Sequence, residues 1–448
     1  MCEICLLFIS IMLIYYNDNF IMKDYYMATV LKKKYIDESW DFEDADTKTL
    51  THCYHSYPAM MIPQVAERLT EKYGKKANLL FDPYCGTGTS LVEANVRNIN
   101  AVGTDLNPLA RLIAKAKTTP INTRTLDLYL KDFNDWIFSL RFGIRENNSF
   151  VIPKFDNIDY WFTKDVQVKL AILKHYIKHI DNESIRNFFY VAFSETVRES
   201  SLTRNGEFKL YRISEKNLKN FKPDVYSIIE NKLSRNRKGL IEFIKKKKND
   251  STSHIYSFNT VFNIPKEILP DNSVDIVVTS PPYGDSRTTV AYGQFSRLAN
   301  QWLDFQEASK LDNKLMGGRR PIEIEKFGIK ILDEIIEQIG NKDEKRVKDV
   351  YSFYKDYLSS IKNISKVIKK KGFVCFVVGN RRVKSITLPT DEITSEMFKL
   401  NGFQHIETII RRIPNKRMPL KNSPTNVKGK KDTTMNYEYI VVMQKIED

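Results

Sequence analysis

The sequence predicts an α/β fold in which a doubly wound, mostly parallel sheet is covered by helices on both faces. Two patterns support this fold class. Short apolar runs rich in β-branched residues alternate along the chain with segments of helical periodicity. The apolar runs are also unbroken rather than alternating with polar residues, as expected for strands buried on both faces. With 448 residues, 42% of them apolar, the chain can bury a large core.

Six apolar runs predict strands of this sheet. They are Ala77–Phe81, Asn100–Thr104, Val274–Thr279, Gly372–Gly379, His405–Ile410 and Tyr437–Gln444. Helical periodicity predicts the segments that connect and cover these strands. The predicted helices are Met60–Tyr73, Thr89–Asn98, Asp349–Lys369 and Glu392–Leu400.

Between residues 118 and 255 the character of the chain changes. Tyr, Phe, Asn and Lys dominate, and the helical segments Asp165–Ile180 and Ile185–Ser200 are not interrupted by strong strands. This stretch is therefore interpreted as a large inserted, mainly helical subdomain. We expect an N-terminal extension at 1–50, a core formed by 51–117 with 256–448, and an insertion at 118–255.

The first residues include an apolar run, Ile4–Tyr16, of about 13 residues, too few to cross a bilayer core of ~30 Å. The run lacks a basic leader because Glu3 is acidic, so a signal peptide fits poorly. Two interpretations stay open: an extended reading frame that starts at Met22 or Met27, or a short packed helix. No other segment reaches membrane-spanning length, which predicts a cytoplasmic protein without a membrane partner.

The cysteines and histidines show no metal-binding or disulfide pattern. Five cysteines are scattered along the chain, and only Cys2 and Cys5 have a C-x-x-C spacing. The six histidines lack the spacing of metal ligands. A reducing compartment and a site without metal are therefore expected.

The net charge of +15, from 70 Lys and Arg against 55 acidic residues, favours a polyanionic partner, nucleic acid first. Two stretches concentrate this charge. Residues 232–248 carry eight basic residues against one acid, and residues 411–431 carry eight basic residues and no acid. A solvated face explains such a run equally well, but two of them favour contact with phosphates.

A glycine-containing turn, Asp82–Ser90, connects a predicted strand to a predicted helix. Gly86 and Gly88 allow the backbone to turn tightly and to approach a ligand closely, and the first amides of the helix can face an anion. The dinucleotide fingerprint fails because position 91 is Leu, and the P-loop fails because no Gly-Lys-Ser/Thr follows. A purely structural turn remains the alternative.

Asp105 ends the next predicted strand, about 20 residues beyond the glycines, where an acidic residue can accept both hydroxyls of a ribose. Asn107 is a candidate helix cap, and Asp105 could serve as a cap itself. The glycines and Asp105 together favour a cofactor that carries a nucleoside.

The segment Thr279–Tyr283, Thr-Ser-Pro-Pro-Tyr, directly follows a predicted strand. Consecutive prolines lack amide hydrogens and present their carbonyls as acceptors. The exocyclic amine of a base is a poor nucleophile, and acceptors such as Ser280 Oγ and the Pro281 carbonyl would favour a pyramidal nitrogen. Tyr283 offers a ring on which a flipped base can stack. The alternative is a Pro-Pro turn with a packed tyrosine.

Together these segments resemble the amino-methyltransferases of DNA, which use S-adenosylmethionine to methylate an exocyclic base nitrogen. Ser-Pro-Pro-Tyr is typical of the cytosine-N4 branch, whereas Asp-Pro-Pro-Tyr is commoner in adenine-N6 enzymes. The resemblance implies a class I methyltransferase, Rossmann-like sheet of seven strands whose last strand, 437–444, is antiparallel. The segment His55–Pro63 is similar to the family's segment lining the methionine end of the cofactor.

The resemblance also implies the site residues. Asp82 is expected near the methionine end of the cofactor and Asp105 at its ribose. Asn259 stands where such enzymes often carry an acid, and its amide oxygen can serve instead. The implied catalytic residues are Ser280, Pro281, Pro282 and Tyr283, and the implied cofactor-binding residues are Tyr57, Pro58, Asp82, Pro83, Tyr84, Gly86, Gly88, Thr89, Asp105, Asn107 and Asn259.

The implied function is methylation of double-stranded DNA at cytosine N4 beside a cognate restriction endonuclease, with target recognition in 118–255. An adenine-N6 enzyme and a non-catalytic DNA-binding scaffold of the same fold are the alternatives. Two further segments allow weaker interpretations. Residues 194–199 with 203–207 are either a polar loop reaching DNA or an exposed turn, and Arg381 and Arg382 either contact phosphate or lie in a solvated loop.

Overall fold

One eight-stranded sheet forms the centre of the protein. The computed structural model describes residues 34–144, 150–204, 209–285, 292–308, 311–414, 421–422, 432–433 and 436–446. Within these ranges the strands are β1 (Lys34–Ile36), β2 (Leu79–Asp82), β3 (Asn100–Thr104), β4 (Ser253–Tyr256), β5 (Val274–Thr279), β6 (Ile368–Val378), β7 (Arg381–Val383), β8 (Ile386–Leu388), β9 (Phe403–Arg412), β10 (Lys421–Asn422), β11 (Asp432–Thr433) and β12 (Tyr437–Lys445).

The strand order in the sheet is β1-β9-β12-β6-β5-β2-β3-β4, and β7–β8 and β10–β11 form separate pairs. All neighbouring strands of the large sheet run parallel except β12, which is antiparallel to both β6 and β9. The predicted fold class is confirmed, including the antiparallel last strand. The structure adds an eighth strand, β1, because three residues are too few to show a period and only pairing with β9 defines them.

Helices cover both faces of the sheet. In the described part of the chain they are α1 (Pro63–Tyr73), α2 (Thr89–Val96), α3 (Pro108–Thr118), α4 (Thr123–Arg141), α5 (Ile158–Trp161), α6 (Lys164–Lys178), α7 (Glu183–Ser200), α8 (Glu215–Leu218), α9 (Val225–Lys246), α10 (Tyr292–Trp302), α11 (Leu311–Lys314), α12 (Lys330–Gly340), α13 (Glu344–Val367) and α14 (Thr390–Lys399). Short 3₁₀ helices span Glu38–Trp40, Leu50–Tyr54 and Gln306–Ala308. Among these helices, none is long and apolar enough to span a bilayer.

Among the described residues, the buried apolar side chains form three hydrophobic cores. One lies under α1 and α2, with Leu69 and Leu91 against Ile276 of β5. A second lies on the opposite face, where α12, α13 and α14 cover the sheet, with Tyr357 against Phe376. The third is separate from the sheet and is built by α4, α6, α7 and α9 together with α3 and α10. The third core makes the helical region a packed body rather than a set of surface loops.

Residues 118–255 supply most of this helical body. The expected boundary at residue 255 falls within β4, which pairs with β3 and belongs to the large sheet. The interpretation of 194–199 as a DNA-contacting loop or an exposed turn is wrong, because these residues belong to α7 and Glu195 is buried. Glu195 forms ion pairs with Lys232 and Arg235 of α9. Residues 205–207 of the second part lie outside the described residues.

The basic stretch 232–248 is partly neutralised by ion pairs with acidic residues of neighbouring helices. Lys232 and Arg235 pair with Glu195, and Arg237 pairs with Asp127. Of the second basic stretch, residues 415–420 and 423–431 lie outside the described residues, as do Ile4–Tyr16, Cys2 and Cys5. The positive charges at 232, 235 and 237 therefore stabilise the contact of α9 with α4 and α7 rather than standing free for phosphate.

Candidate active site

The turns after β2 and β5 meet at the point where the strand order reverses. β2 pairs with β3 on one side and with β5 on the other. The chain therefore adds its next strand, β3, on one side of β2 and later adds β5 on the opposite side. In doubly wound sheets a crevice opens at the carboxyl ends of such strands. A cavity lies there, between the turn that contains Gly86 and the segment that contains Ser280.

The cavity brings together most of the residues implied by the sequence. Three of them do not line it: Gly88, Pro281 and Tyr283. Those that line it are Tyr57, Pro58, Asp82, Pro83, Tyr84, Gly86, Thr89, Asp105, Asn107, Asn259, Ser280 and Pro282. Two segments separated by 197 residues at Asp82 and Thr279 thus meet at one pocket because β2 and β5 are neighbours.

Asp105 holds the floor of the cavity through two backbone amides. Its Oδ2 accepts from Gly86 N at 3.1 Å and its Oδ1 from Asn107 N at 2.7 Å. Burial raises the pKa of this carboxyl, while the two amide hydrogen bonds oppose the rise. Each carboxylate oxygen keeps a further lone pair, so Asp105 can accept two ligand hydroxyls without losing either amide. The predicted cap is confirmed: Asn107 immediately precedes α3, and its side chain accepts from Leu109 N.

The two glycines have different roles. Gly86 has φ +48°, and a Cβ built on it would meet no protein atom within 4 Å, so the side-chain space faces the open cavity. Gly88 has φ +78° and lies against α3, where a Cβ would come within 3.0 Å of Ala114 Cβ. Gly86 therefore leaves room for a ligand, and Gly88 allows α2 and α3 to pack closely.

Asp82 joins the two turns. Its Oδ1 accepts from Thr279 Oγ1 at 2.6 Å and from Tyr84 N at 3.1 Å, and its Oδ2 accepts from Ser90. Burial raises the pKa of Asp82 to about 6, although these hydrogen bonds lower it. A carboxylate that borders the cavity and connects the ends of β2 and β5 can both position Ser280 and face a cation.

Ser280 and Tyr283 are tied to the neighbouring strands. Ser280 Oγ lies 3.1 Å from the Val377 carbonyl oxygen and 3.2 Å from Tyr283 Oη. Tyr283 Oη in turn donates to Glu438 Oε1 of β12 at 3.0 Å. Both neighbours of Ser280 can take its single hydroxyl proton, so an Oγ lone pair is available to the cavity.

Comparison with known proteins identifies the family. No family model matches the chain. The type II methyltransferase M.MvaI of Kocuria varians is 41% identical to it, over 96% of this chain and 98% of that protein. The chain belongs to the type II methyltransferase family. Such enzymes methylate DNA in restriction–modification systems, and S-adenosylmethionine is the methyl donor.

Two more distant similarities accompany this one. The type II methyltransferase M.BsoBI of Geobacillus stearothermophilus is 21% identical over 84% of this chain and 85% of that protein. The solved rRNA methyltransferase aviRa of Streptomyces viridochromogenes is 9% identical over 87% of this chain and 88% of that one, with a TM-score of 0.30.

The cavity of the methyltransferase fits an S-adenosyl cofactor. Gly86 leaves the space that a side chain would fill, and the free lone pairs of Asp105 suit ribose hydroxyls. The apolar ring of Phe258 lines the same cavity. The cofactor, when bound, supplies an electrophilic methyl group. Asn259 lines the cavity too, although its Oδ1 already accepts from Val261 N at 3.0 Å.

Sequence reasoning missed several residues of this site. Tyr292 of α10 lines the cavity and stacks on Tyr57, with ring centroids 6.1 Å apart. Asn107 Nδ2 donates to Tyr57 Oη at 2.7 Å and to Ser296 Oγ at 2.7 Å. No local signal marks Tyr292 or Ser296, because only the packing of α10 against α3 brings them to the site.

Arg381 of the methyltransferase lies in β7 and its side chain is mostly buried, so the interpretation as part of a solvated loop is wrong for this residue. Its side chain is 13% exposed and pairs with the buried Asp285 at 3.0 Å, as does Arg346 at 2.8 Å. Burial lowers the pKa of Arg381, and the charge of Asp285 opposes that change. Arg381 therefore anchors the segment after Tyr283 to the sheet, while Arg382 is exposed.

Proposed function

We propose that the protein transfers a methyl group from S-adenosylmethionine to the exocyclic N4 of a cytosine flipped out of double-stranded DNA. The observation that carries this proposal is the position of Ser280. It borders the same cavity as Asp105 and keeps an Oγ lone pair free. A flipped base beside Ser280 would present its amine to the methyl group.

Ser280 acts on the amine by accepting one of its hydrogens. In the free base the nitrogen lone pair is delocalised into the ring, so the amine is planar and weakly nucleophilic. A hydrogen bond from the amine to Ser280 Oγ, which borders the cavity, favours a pyramidal nitrogen whose lone pair faces the methyl group. Pro282, which lines the cavity, forms part of the wall against which the base rests, and the proposed transfer needs no metal.

Target recognition is proposed for residues 118–255, helped by 287–345. The helical body built from 118–255 is joined to the site through α10, whose Tyr292 lines the cavity and whose Trp302 is buried in the helical core. DNA held on this body would bring one base to Ser280. The natural setting is the cytoplasm, beside a restriction endonuclease that cleaves the same sequence when it is unmethylated.

Product analysis tests the proposal. The protein is incubated with labelled S-adenosylmethionine and mixed-sequence duplex DNA, and the digested nucleosides are identified by mass spectrometry. We expect labelled N4-methylcytosine, and none from a Ser280→Ala preparation purified in the same way. N6-methyladenine would keep the chemistry and overturn the choice of base. A labelled carbon-methylated base, or label in RNA alone, would contradict the proposal.

The affinity for S-adenosylmethionine is expected to fall in acid because of Asp82. Its carboxyl has a pKa of about 6 in the folded protein, so it loses its negative charge as the pH falls through that value. A cationic ligand then loses its neutralising partner, and the Kd should rise by up to about tenfold per pH unit below the pKa. Calorimetric titration between about pH 8 and 5 measures this change.

Asp82→Asn is the control for this pH dependence. The variant keeps the size of the side chain, so the turn can retain its contacts with Thr279 and Tyr84. Its Kd should be weaker at neutral pH and should change less in acid, with Asp105 as the remaining titratable carboxyl. An Asp82→Asn protein with the wild-type pH profile would show that Asp82 does not face the cation.

A further inference from the structure

Glu438 of β12 ends a chain of hydrogen bonds that begins at the cavity. Ser280 Oγ lies 3.2 Å from Tyr283 Oη, and Tyr283 Oη lies 3.0 Å from Glu438 Oε1. We propose that this chain carries away the proton that the target amine loses on methylation, with Glu438 as the final acceptor. The inference rests on the proposed function, since it needs an amine as the methyl acceptor.

The carboxylate of Glu438 determines which group donates in each hydrogen bond of this chain. A carboxylate only accepts hydrogen bonds, so Tyr283 must donate to Glu438, and its oxygen is then left to accept from Ser280. Burial, followed by the negative charge of Glu438, raises the pKa of Tyr283, so the phenol keeps its proton. Ser280 and Tyr283 thus both direct their protons away from the cavity and towards β12 or the Val377 carbonyl.

The proton transfer balances without another reactant. The amine nitrogen forms its bond to the methyl carbon as the carbon–sulfur bond breaks, and the electron pair of that bond stays on sulfur. The nitrogen, now positive, gives its proton to Ser280 Oγ. Ser280 gives its own proton to Tyr283 Oη, and Tyr283 gives its own to Glu438 Oε1. The products are S-adenosylhomocysteine, the methylated amine and a neutral Glu438.

Arg411 of β9 keeps Glu438 in place, and the partial exposure of Glu438 allows the proton to leave. It pairs with Glu438 Oε2 and is itself held by the carbonyl oxygens of Trp40 at 2.7 Å and Asp41 at 3.0 Å. This ion pair holds the Glu438 carboxylate where Oε1 can accept from Tyr283 Oη. Because the Glu438 side chain is 19% exposed, the carboxyl can return its proton to water after each turnover.

Glu438→Gln removes the proton acceptor and keeps the shape. Arg411 is buried and needs an acceptor, so the amide oxygen will face Arg411 and the NH₂ group will face Tyr283. We expect the single-turnover rate to fall about 100-fold, within the usual contribution of proton transfer by a side chain. Affinities for S-adenosylmethionine and DNA should stay within about twofold of wild type.

Glu407→Gln is the matched control. Glu407 of β9 also accepts from tyrosine hydroxyls, Tyr35 at 3.0 Å and Tyr73, and pairs with Lys72 at 2.6 Å, but it does not line the cavity. This variant should keep the wild-type rate. In cofactor-free protein labelled with ¹³Cζ-tyrosine, Glu438→Gln should shift the Tyr283 signal, assigned with Tyr283→Phe, and Glu407→Gln should not.

A double variant that combines Tyr283→Phe with Glu438→Gln distinguishes a proton path from a structural effect. Once Tyr283→Phe has broken the chain, adding Glu438→Gln should slow the reaction no further; additive losses would overturn the proposal. Should Glu438→Gln not fold, a Tyr283→Phe enzyme with the full single-turnover rate would overturn it too. Wild-type protein that forms no amine-methylated nucleoside refutes the proposed function. Wild-type product with an unimpaired Glu438→Gln refutes this inference alone.

Discussion

Replacing Ser280 with alanine is expected to lower the single-turnover rate of methyl transfer about 100-fold, comparable to the loss of one preorganised hydrogen bond at a reacting group. The physical reason is the loss of the Oγ acceptor, which leaves the target amine planar. Affinity for S-adenosylmethionine should not change, because Asp105 and the turn at Gly86 are untouched. Rapid-quench measurement with saturating cofactor and DNA gives the rate.

Ser273→Ala is the matched control for this experiment. Ser273 lies at the opposite end of β5 and donates to the Pro270 carbonyl at 2.7 Å, far from the cavity. Its rate should equal that of wild type. A Ser280→Ala enzyme as fast as the Ser273→Ala enzyme would show that Ser280 is not the acceptor of the amine hydrogen.

Replacing Asp105 with alanine is expected to weaken S-adenosylmethionine binding about 100-fold, since hydrogen bonds to a charged group contribute about 1.5–3 kcal/mol each. The ribose hydroxyls lose their acceptor, and the amides of Gly86 and Asn107 lose theirs. Calorimetric titration of the cofactor in the absence of DNA gives the Kd. At saturating cofactor, the single-turnover rate should recover most of its wild-type value.

Asp275→Ala distinguishes cofactor binding from loss of a structural carboxylate. Asp275 also accepts from two backbone amides, Asn78 N at 2.8 Å and Leu79 N at 2.9 Å, but at the other end of β2. Both variants should lower the melting temperature, and only Asp105→Ala should lower cofactor affinity. Equal cofactor Kd values for the two proteins would remove Asp105 from the cofactor site.

Most of the fold was accessible from the sequence because its strands are long or strongly apolar. The runs at β5, β6 and β12 are buried on both faces, and their β-branched residues indicate strands without any tertiary information. The three-residue β1 carries no such signal, and its backbone is satisfied only by β9. The polar residues of α7 were wrongly predicted to form a loop or an exposed turn, because a charge network inside a helical core has the same composition as an exposed loop.

The local part of the site was predictable for a similar reason. A turn that needs positive φ at Gly86 and a rigid Ser-Pro-Pro segment are encoded by adjacent residues. The contacts across the site were not. Tyr57 stacks on Tyr292, and Tyr283 donates to Glu438, which is 155 residues away in sequence. The residues that neighbour these partners in sequence do not indicate either pairing.

The sequence by itself determined the α/β class, the turn that leaves room for the cofactor and the Ser-Pro-Pro-Tyr segment, because backbone preference and hydrophobic period act over a few neighbouring residues. Tertiary structure alone decided which charged residues form buried ion pairs, as Arg381 does with Asp285. It also decided that Glu438 lies next to the tyrosine that contacts Ser280. The reason is the strand order: it places β12 two strands from β5, so the hydroxyl of Tyr283 meets the carboxylate of Glu438.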